Sequence, residues 1–118
     1  MYNGIIVDDA MVMRLRLAEI LGKEFKIVDM AGDGVEALAS YRHFRPDFVT
    51  LDISMPIKNG IEVLQELLFN FPDAKVVMVS AVGQKQIIFE ALGLGAKDFI
   101  IKPFEPARVL IAIKRLFS

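Results

Sequence analysis

Residues 47–56 read Asp47-Phe48-Val49-Thr50-Leu51-Asp52-Ile53-Ser54-Met55-Pro56. The apolar and β-branched residues of this stretch favour a β-strand, and Pro56 cannot continue a strand ladder. We therefore expect a strand that ends near Asp52. An aspartate often follows a strand simply because it forms turns. The other predicted strands also end in polar residues, and this argues for more than a turn.

Three further short apolar segments finish in polar side chains. They are Gly4–Val7 before Asp8 and Asp9, Ala74–Val79 before Ser80, and Lys97–Ile101 before Lys102. In an open parallel sheet the carboxyl ends of all strands lie along one rim, and such folds bind their ligands there. The sequence therefore predicts a ligand site at this rim.

Segments with helical apolar spacing alternate with the strands and predict five strand–helix units. The predicted strands are residues 3–8, Phe25–Met30, 48–52, Ala74–Val79 and Lys97–Ile101, and the predicted helices are Met11–Leu21, Asp33 to about Phe44, Asn59 or Gly60 to about Phe71, Gly83-Gln84 to about Gly95, and Glu105 to about Phe117. This alternation is typical of a three-layer, doubly wound α/β fold. We expect the flavodoxin-like (βα)5 arrangement with a five-stranded parallel sheet of order 2-1-3-4-5. That order places Asp8, Asp9 and Asp52 in one cleft.

The size and composition of the chain narrow its function. Its 118 residues suffice for one domain with a real core, and a hydrophobic content of 54% argues against disorder. A formal net charge of -1 argues against direct nucleic-acid binding by bulk electrostatics. Cysteine is absent, which excludes a thiolate metal site and suits a reducing compartment. No apolar run has the length of a membrane span, so we expect a cytoplasmic protein without membrane insertion.

The three carboxylates suggest a metal. They repel one another in a shared cleft, and one would take up a proton unless a cation relieved the repulsion. Mg²⁺ suits such a site, with Mn²⁺ as an alternative, because it binds one or two carboxylates and completes its shell with water and phosphate oxygens. Lys102 adds a positive charge and Ser80 a hydroxyl donor. The set matches phosphoryl transfer to a carboxylate.

The chain resembles the receiver domains of two-component response regulators over essentially its whole length. The matching segments are Ile6–Asp9, Leu51–Pro56 with Asn59-Gly60, Val79–Ala81, Gly95–Phe99 and Lys102–Phe104. Each segment alone is weak, but together and in this order they are highly specific. Within the family the chain is most similar to the single-domain chemotaxis regulators. We expect residues 1–118 to form one receiver domain, either a whole regulator or part of a longer one that also has an output domain.

The resemblance implies the roles of the acids. Asp52 would be the phosphoacceptor in a phosphorelay, and Asp8 and Asp9 would hold Mg²⁺. The direct metal ligands would be Asp9, Asp52 and the main-chain carbonyl of Ser54. In the best-known chemotaxis regulators, an amide-bearing residue stands at the position of Ser54 and an acid at that of Val82. The two replacements leave the lifetime of the phosphorylated form open.

The resemblance also implies a switch. Lys102, expected on the exposed rim and in a cis bond with Pro103, and Ser80 would contact the phosphoryl group. Phe99 would turn inward when Ser80 moves toward the phosphate, although it could also be a simple core residue. The readout surface would be the fourth helix, fifth strand and fifth helix.

The implied partners are a sensor histidine kinase and a downstream target protein or output domain. The last helix carries Arg108, Lys114 and Arg115 with Ile111 on a face expected to point outward. That face is either a solvated basic surface or an interface with a partner or a second copy. The chain would accordingly be a monomer or a phosphorylation-dependent dimer.

Two alternatives to a working receiver remain open. A haloacid-dehalogenase-type phosphohydrolase also uses an aspartyl nucleophile, Mg²⁺, serine and lysine, but it normally has a second acid two residues after the nucleophile, where this chain has Ser54. A receiver that no longer takes phosphate is the other alternative, and the intact acids, Ser80 and Lys102 argue against it. His43, the only histidine, is expected on the solvated surface. We therefore predict a regulatory phosphoacceptor rather than an enzyme, one that assists its own phosphorylation and dephosphorylation.

Overall fold

The computed structural model describes all residues, 1–118, and contains five strands that alternate with five helices. The strands are β1 (Asn3–Val7), β2 (Lys26–Ala31), β3 (Phe48–Asp52), β4 (Val76–Ser80) and β5 (Asp98–Ile101), and the helices are α1 (Met11–Leu21), α2 (Gly34–Phe44), α3 (Gly60–Asn70), α4 (Lys85–Leu94) and α5 (Pro106–Arg115). Neighbouring strands are all parallel, and their order is β2-β1-β3-β4-β5. The predicted flavodoxin-like fold is confirmed. None of the five helices combines the length and the apolar character that crossing a membrane would require.

The predicted element bounds differ from the observed ones by at most two residues. For example, β2 continues to Ala31 instead of ending at Met30, and α5 ends at Arg115 rather than near Phe117. Helix α4 begins at Lys85, with Gln84 as its N-cap residue. Such differences are expected at the ends of elements, where hydrogen bonding is incomplete.

The sheet lies between two helical layers, and alternating strand residues serve the two sides. Ile5 and Val7 of β1 belong to the core that α2, α3 and α4 cover. Ile6 belongs to the opposite core, which α1 and α5 cover. Because both faces of the sheet are covered, β3 and β4 are buried at every position. The site lies at the carboxyl ends of the central strands.

Side-chain caps fix two helix starts near that rim. Asn59 Oδ1 accepts a hydrogen bond from Glu62 N at 3.0 Å, and Glu62 Oε1 accepts one from Asn59 N at 3.2 Å. This reciprocal capping box confirms Asn59 as the cap of α3. Asp33 caps α2 in the predicted way, since its Oδ1 accepts from Glu36 N at 2.9 Å.

Candidate functional site

The carboxylates of Asp8, Asp9 and Asp52 meet at the carboxyl ends of β1 and β3. One oxygen atom from each lies within 4.8 Å of the others. The two strands are parallel neighbours in which Val7 pairs with Leu51, so Asp8 and Asp52 each come directly after a paired residue. Asp8 and Asp52 are buried, whereas Asp9 is exposed. The cluster is thus shielded from solvent on the side of Asp8 and Asp52 and open to solvent on the side of Asp9.

Lys102 reaches this cluster from the end of β5. Its Nζ lies 3.1 Å from Asp8 Oδ2 and 3.5 Å from Asp52 Oδ1. The expectation of an exposed rim lysine is wrong, because only 24% of the Lys102 side chain is exposed. Two buried carboxylates draw the ammonium group inward, since unpaired buried charges are strongly unfavourable. The bond between Lys102 and Pro103 is cis, as the resemblance implied.

The surroundings of Asp52 disfavour its charged form. Burial raises the pKa of its carboxyl most, and the Asp8 carboxylate raises it further. Lys102 and a hydrogen bond from Ser54 N, 3.4 Å from Asp52 Oδ1, lower it. The resulting pKa is about 6, compared with an ordinary value of 3.8. A carboxyl so perturbed by burial and a neighbouring charge, at the edge of a cleft, is a candidate for a functional role.

Two contacts hold the loop that carries Asp8. Asp8 Oδ1 accepts a hydrogen bond from Ala10 N at 2.9 Å, and Arg14 Nη1 donates to the main-chain carbonyl of Asp8 at 2.7 Å. The other carboxylate oxygen, Oδ2, is buried and receives no well-aligned hydrogen bond, although the ammonium of Lys102 lies near it. Asp8 therefore presents a fixed oxygen with spare capacity to the cluster.

Gly60 lets α3 begin directly against the acceptor strand. A Cβ atom at this position would lie 2.2 Å from the carbonyl oxygen of Asp52 and 2.7 Å from the Cα atom of Ile53. Gly60 N also donates a hydrogen bond to Ile53 O at 2.8 Å. The absence of a side chain at Gly60 therefore sets the position of the loop after Asp52.

Ser80, at the end of β4, is completely buried, and its hydroxyl has no hydrogen-bond partner. Strand β4 lies beside β3, with Val79 paired to Asp52, so Ser80 is one residue further along the rim. The Ser80 hydroxyl lies at the edge of the cluster without a hydrogen bond to Asp52 or Lys102, although Lys102 N donates to the Ser80 carbonyl oxygen at 2.8 Å. Buried hydroxyls without partners are uncommon, and this one keeps its donor free.

Ser54 and Gln84 connect the loops on either side of the cluster. Ser54 Oγ accepts a hydrogen bond from Gln84 Nε2 at 3.0 Å, and Gln84 Oε1 accepts one from Ala81 N at 2.7 Å. Ser54 is exposed and lines a hollow of about 510 Å³ together with Asp9. The hollow opens to solvent beside the exposed Asp9 carboxylate. The role of the Ser54 carbonyl as a metal ligand stays a prediction.

Phe99 is half-buried on β5 and borders the outer surface. Its ring lines a hollow of about 270 Å³, mostly apolar, between α4 and β5. Arg108 Nη2 donates to the Phe99 carbonyl at 2.8 Å and to Asp98 Oδ1 at 2.9 Å, while the guanidinium carbon lies 5.6 Å from the centre of the Phe99 ring. Phe99 thus has space on its outer side and a cationic neighbour that holds its backbone.

The predicted outward basic face of α5 is only partly present. Ile111 is exposed by 45%, and Arg115 is exposed as expected. Arg108, however, turns onto β5, because the Asp98 carboxylate and the Phe99 carbonyl together satisfy its guanidinium. Lys114 Nζ pairs with Glu24 Oε1 at 2.8 Å. His43 is exposed, as predicted.

The acid cluster has the donor set that a hard divalent cation requires. It offers three carboxylates, one of them exposed, and the buried Asp8 oxygen that lacks a well-aligned hydrogen bond. A cation there would relieve the repulsion between Asp8 and Asp52 that helps to raise the Asp52 pKa. Oxygen ligands of this kind favour Mg²⁺ over softer metals.

Three contacts near the site were not predicted from the sequence: those of Arg14, Gln84 and Arg108. The sequence showed Gln84 only as the start of a helix and Arg108 only as part of a basic face. No contact was predicted for Arg14. Each contact depends on where a long side chain turns after it leaves the backbone, and residue spacing does not specify that.

Known proteins share both the sequence and the fold of this chain. The response regulator receiver domain family matches residues 5–114. Protein CcdB of Bacillus subtilis is 49% identical over 119 residues, which cover 100% of this chain and 99% of that protein. The chemotaxis protein CheY of Thermotoga maritima is 43% identical, with 95% of this chain and 94% of CheY covered.

A solved structure extends the likeness to three dimensions. A chain in the crystal structure of the CheX–CheY–BeF3–Mg²⁺ complex from Borrelia burgdorferi matches with a TM-score of 0.94 and 39% identity. The match covers 99% of this chain and 90% of that one. Sequence, fold and the acid cluster at the expected rim therefore agree, and this chain belongs to the family of response regulator receiver domains, with chemotaxis regulators of the CheY type among its relatives.

Proposed function

We propose that this chain is a phosphorylation-controlled receiver in which Asp52 accepts a phosphoryl group from a sensor histidine kinase. The observation that carries the proposal is the acid cluster, with Lys102 Nζ placed 3.5 Å from Asp52 Oδ1. The family role is regulatory, so the output is a changed surface rather than a released product. The proposal includes a cytoplasmic location and, on the strength of the CheY relatives, a part in chemotaxis.

The transfer itself needs little covalent chemistry from the protein. A carboxylate oxygen of Asp52 attacks the phosphorus atom of phosphohistidine, the P–N bond breaks, and its electron pair stays on the imidazole nitrogen. An acyl phosphate then stands on Asp52. With a pKa of about 6, the carboxyl is mostly ionised at neutral pH and therefore ready to attack. The Lys102 ammonium, already inside the cluster, supplies positive charge for the phosphoryl oxygens.

Asp8, Asp9, Asp52 and the main-chain carbonyl of Ser54 would hold Mg²⁺, or Mn²⁺ in its place. When bound, the ion neutralises charge on the phosphoryl oxygens and helps to orient the group. The buried Asp8 Oδ2, which has the Lys102 ammonium nearby but no well-aligned hydrogen bond, and the exposed carboxylate of Asp9 support this assignment. The same groups that favour transfer also favour hydrolysis of the acyl phosphate, so the domain assists both reactions.

The switch begins at Ser80 and ends at Phe99. A phosphoryl oxygen offers the unpartnered Ser80 hydroxyl a charge-assisted hydrogen bond, which is stronger than a neutral one. As Ser80 moves toward the phosphate, the Phe99 ring turns inward and the surface of α4, β5 and α5 changes shape. Moving a two-state equilibrium from mostly off to mostly on takes about 5.5 kcal/mol. Hydrogen bonds to charged groups contribute about 1.5–3 kcal/mol each, so a few new ones suffice.

The changed surface binds a target protein, or an output domain if the chain is part of a longer regulator. The Borrelia burgdorferi neighbour comes from a complex of CheX and CheY, so a partner protein of that kind is the first candidate to test. Exposed Ile111 on α5 also leaves phosphorylation-dependent dimerisation open.

The transfer is tested by intact-protein mass spectrometry after incubation with acetyl phosphate. We expect one phosphoryl adduct in the presence of Mg²⁺ and none after chelation. Asp52→Asn should remain unmodified, whereas the exposed control Asp73→Asn should be modified like the wild type. A wild type without any adduct would point to a receiver that no longer takes phosphate. Continuous release of phosphate from added phosphomonoesters would favour the phosphohydrolase alternative.

The switch is tested separately with beryllofluoride, a phosphoryl mimic, and Mg²⁺. The aromatic NMR signals of Phe99 should shift in the wild type. Ser80→Ala should still be phosphorylated but should show a smaller shift of Phe99. If Phe99 and α4 are unmoved in the wild type, the output must use another route, such as dimerisation through α5.

A further inference from the structure

Gln84 ties together the two loops that flank Asp52. Its Oε1 accepts a hydrogen bond from Ala81 N at 2.7 Å, and its Nε2 donates to Ser54 Oγ at 3.0 Å. Both ends of the amide are engaged, so its orientation is fixed. The bond to Ser54 spans 30 positions in the sequence and is the one side-chain hydrogen bond that joins the loop after β3 to the loop after β4.

The tie lies next to the groups that would move on phosphorylation. Ser54 comes two residues after Asp52, and its main-chain nitrogen lies 3.4 Å from Asp52 Oδ1. Ala81 comes directly after Ser80, whose buried hydroxyl has no partner. A shift of Ser80 toward Asp52 carries Ala81 with it, and this changes the distance that Gln84 spans.

A purely local role for Gln84 is less consistent with these contacts. Gln84 is the N-cap residue of α4, but its side chain makes no capping hydrogen bond to that helix. The amide turns away from α4 and toward the two loops instead. Removing it therefore leaves the hydrogen bonds of α4 in place.

We propose that Gln84 is a positioning residue that holds the loop after β4 in its unphosphorylated place, and that breaking this tie is a step of activation. The proposal rests on the proposed function of Asp52. The bonds of Gln84 are neutral, whereas those offered by a phosphoryl group are charge-assisted and stronger. Phosphorylation can therefore overcome the tie. In the unmodified protein, the strength of the tie sets the fraction of molecules that already have the active arrangement.

The tie itself is tested by amide hydrogen exchange in the metal-free, unphosphorylated protein. Gln84→Met keeps the length of the side chain and removes both polar atoms. The Ala81 amide should then exchange several-fold faster than in the wild type. Gln86→Met is the matched control, because Gln86 is exposed on α4 and makes no hydrogen bond through its side chain. Unchanged exchange at Ala81 in Gln84→Met would refute the tie.

The effect on activation is tested by titration with beryllofluoride and Mg²⁺. We expect Gln84→Met to bind the mimic roughly threefold to tenfold more tightly than the wild type, because one or two modest hydrogen bonds no longer oppose the change. Ser54→Ala cuts only the far end of the tie. If the tie is responsible, the double variant Ser54→Ala/Gln84→Met should change the binding free energy of the mimic by less than the sum of the changes in the two single variants.

The outcomes separate this proposal from the proposed function. A wild type that does not respond to beryllofluoride would contradict the proposed function, and this proposal with it. A wild type that responds to beryllofluoride, together with a Gln84→Met variant that binds the mimic no more tightly than the wild type, would overturn the role of Gln84 alone. Urea unfolding of each variant shows whether a change in affinity reflects the tie or a general loss of structure.

Discussion

Removing the charge of Asp52 should stabilise the metal-free protein at neutral pH. Only 5% of the Asp52 side chain is exposed, and the carboxylate of Asp8 lies beside it. Burial, followed by the Asp8 charge, raises the pKa of Asp52 to about 6, and the attraction of Lys102 offsets this only in part. Asp52→Asn keeps the shape of the side chain and removes the unfavourable charge.

The raised pKa gives the sign and the size of the effect. The folded protein binds the Asp52 proton more tightly than the unfolded chain does, so the stability from this group is fully present below a pH of 3.8 and is lost as the pH rises through about 6. At 1.36 kcal/mol per pKa unit, the rise from 3.8 to about 6 corresponds to a loss of about 3 kcal/mol in the free energy of unfolding once the pH is well above 6. We therefore expect Asp52→Asn to raise the free energy of unfolding by about 1–3 kcal/mol near neutral pH.

Urea unfolding in the presence of a chelator measures this difference. The gain of Asp52→Asn should be largest near pH 7.5 and should shrink to a small fraction near pH 4, where the wild-type carboxyl is mostly protonated in the folded state. Added Mg²⁺ should stabilise the wild type more than the variant. Asp73→Asn, at an exposed position outside the cluster, serves as the control. An Asp52→Asn protein no more stable than the wild type, or equally stabilised at both pH values, would refute the reasoning.

Two further substitutions test how the site is supported. Gly60→Ala should lower the free energy of unfolding by about 1–3 kcal/mol in urea unfolding, because the new Cβ atom would lie 2.2 Å from the Asp52 carbonyl oxygen. Gly93→Ala is the control: Gly93 has open space around it, so this substitution should be neutral or stabilising. Arg108→Ala should shift the Phe99 ring signals in NMR spectra and reduce stability by about 1–3 kcal/mol, because the Phe99 carbonyl loses its guanidinium donor; unshifted signals would contradict a coupling between the two side chains.

The fold and the acid cluster were predictable because they depend on short-range patterns and on the geometry of parallel sheets. Apolar runs such as Ile5–Val7 specify buried strands, and the strand order then brings Asp8 and Asp52 together. The caps were predictable for the same reason, since Asn59 and Glu62 are only three residues apart. Predicting these features does not require knowing the direction in which a long side chain turns.

The interior position of Lys102 and the contacts of Gln84 and Arg108 could not be predicted in this way. A lysine at the end of a strand can point to solvent or fold back, and the balance depends on buried charges that only the assembled site provides. Gln84 binds a residue 30 positions away, and Arg108 binds one 10 positions away. Such contacts are selected by side-chain rotamers within the packed structure.

The central claim is that Asp52 carries the phosphoryl group, and the most direct test is to locate that group on the chain. After incubation with acetyl phosphate and Mg²⁺, borohydride reduction converts an aspartyl phosphate into homoserine, and tandem mass spectrometry of peptides then reads the modified position. We predict homoserine at position 52 and nowhere else. Modification at Asp8 or Asp9 instead, or of position 52 to the same extent without Mg²⁺, would contradict the assignment.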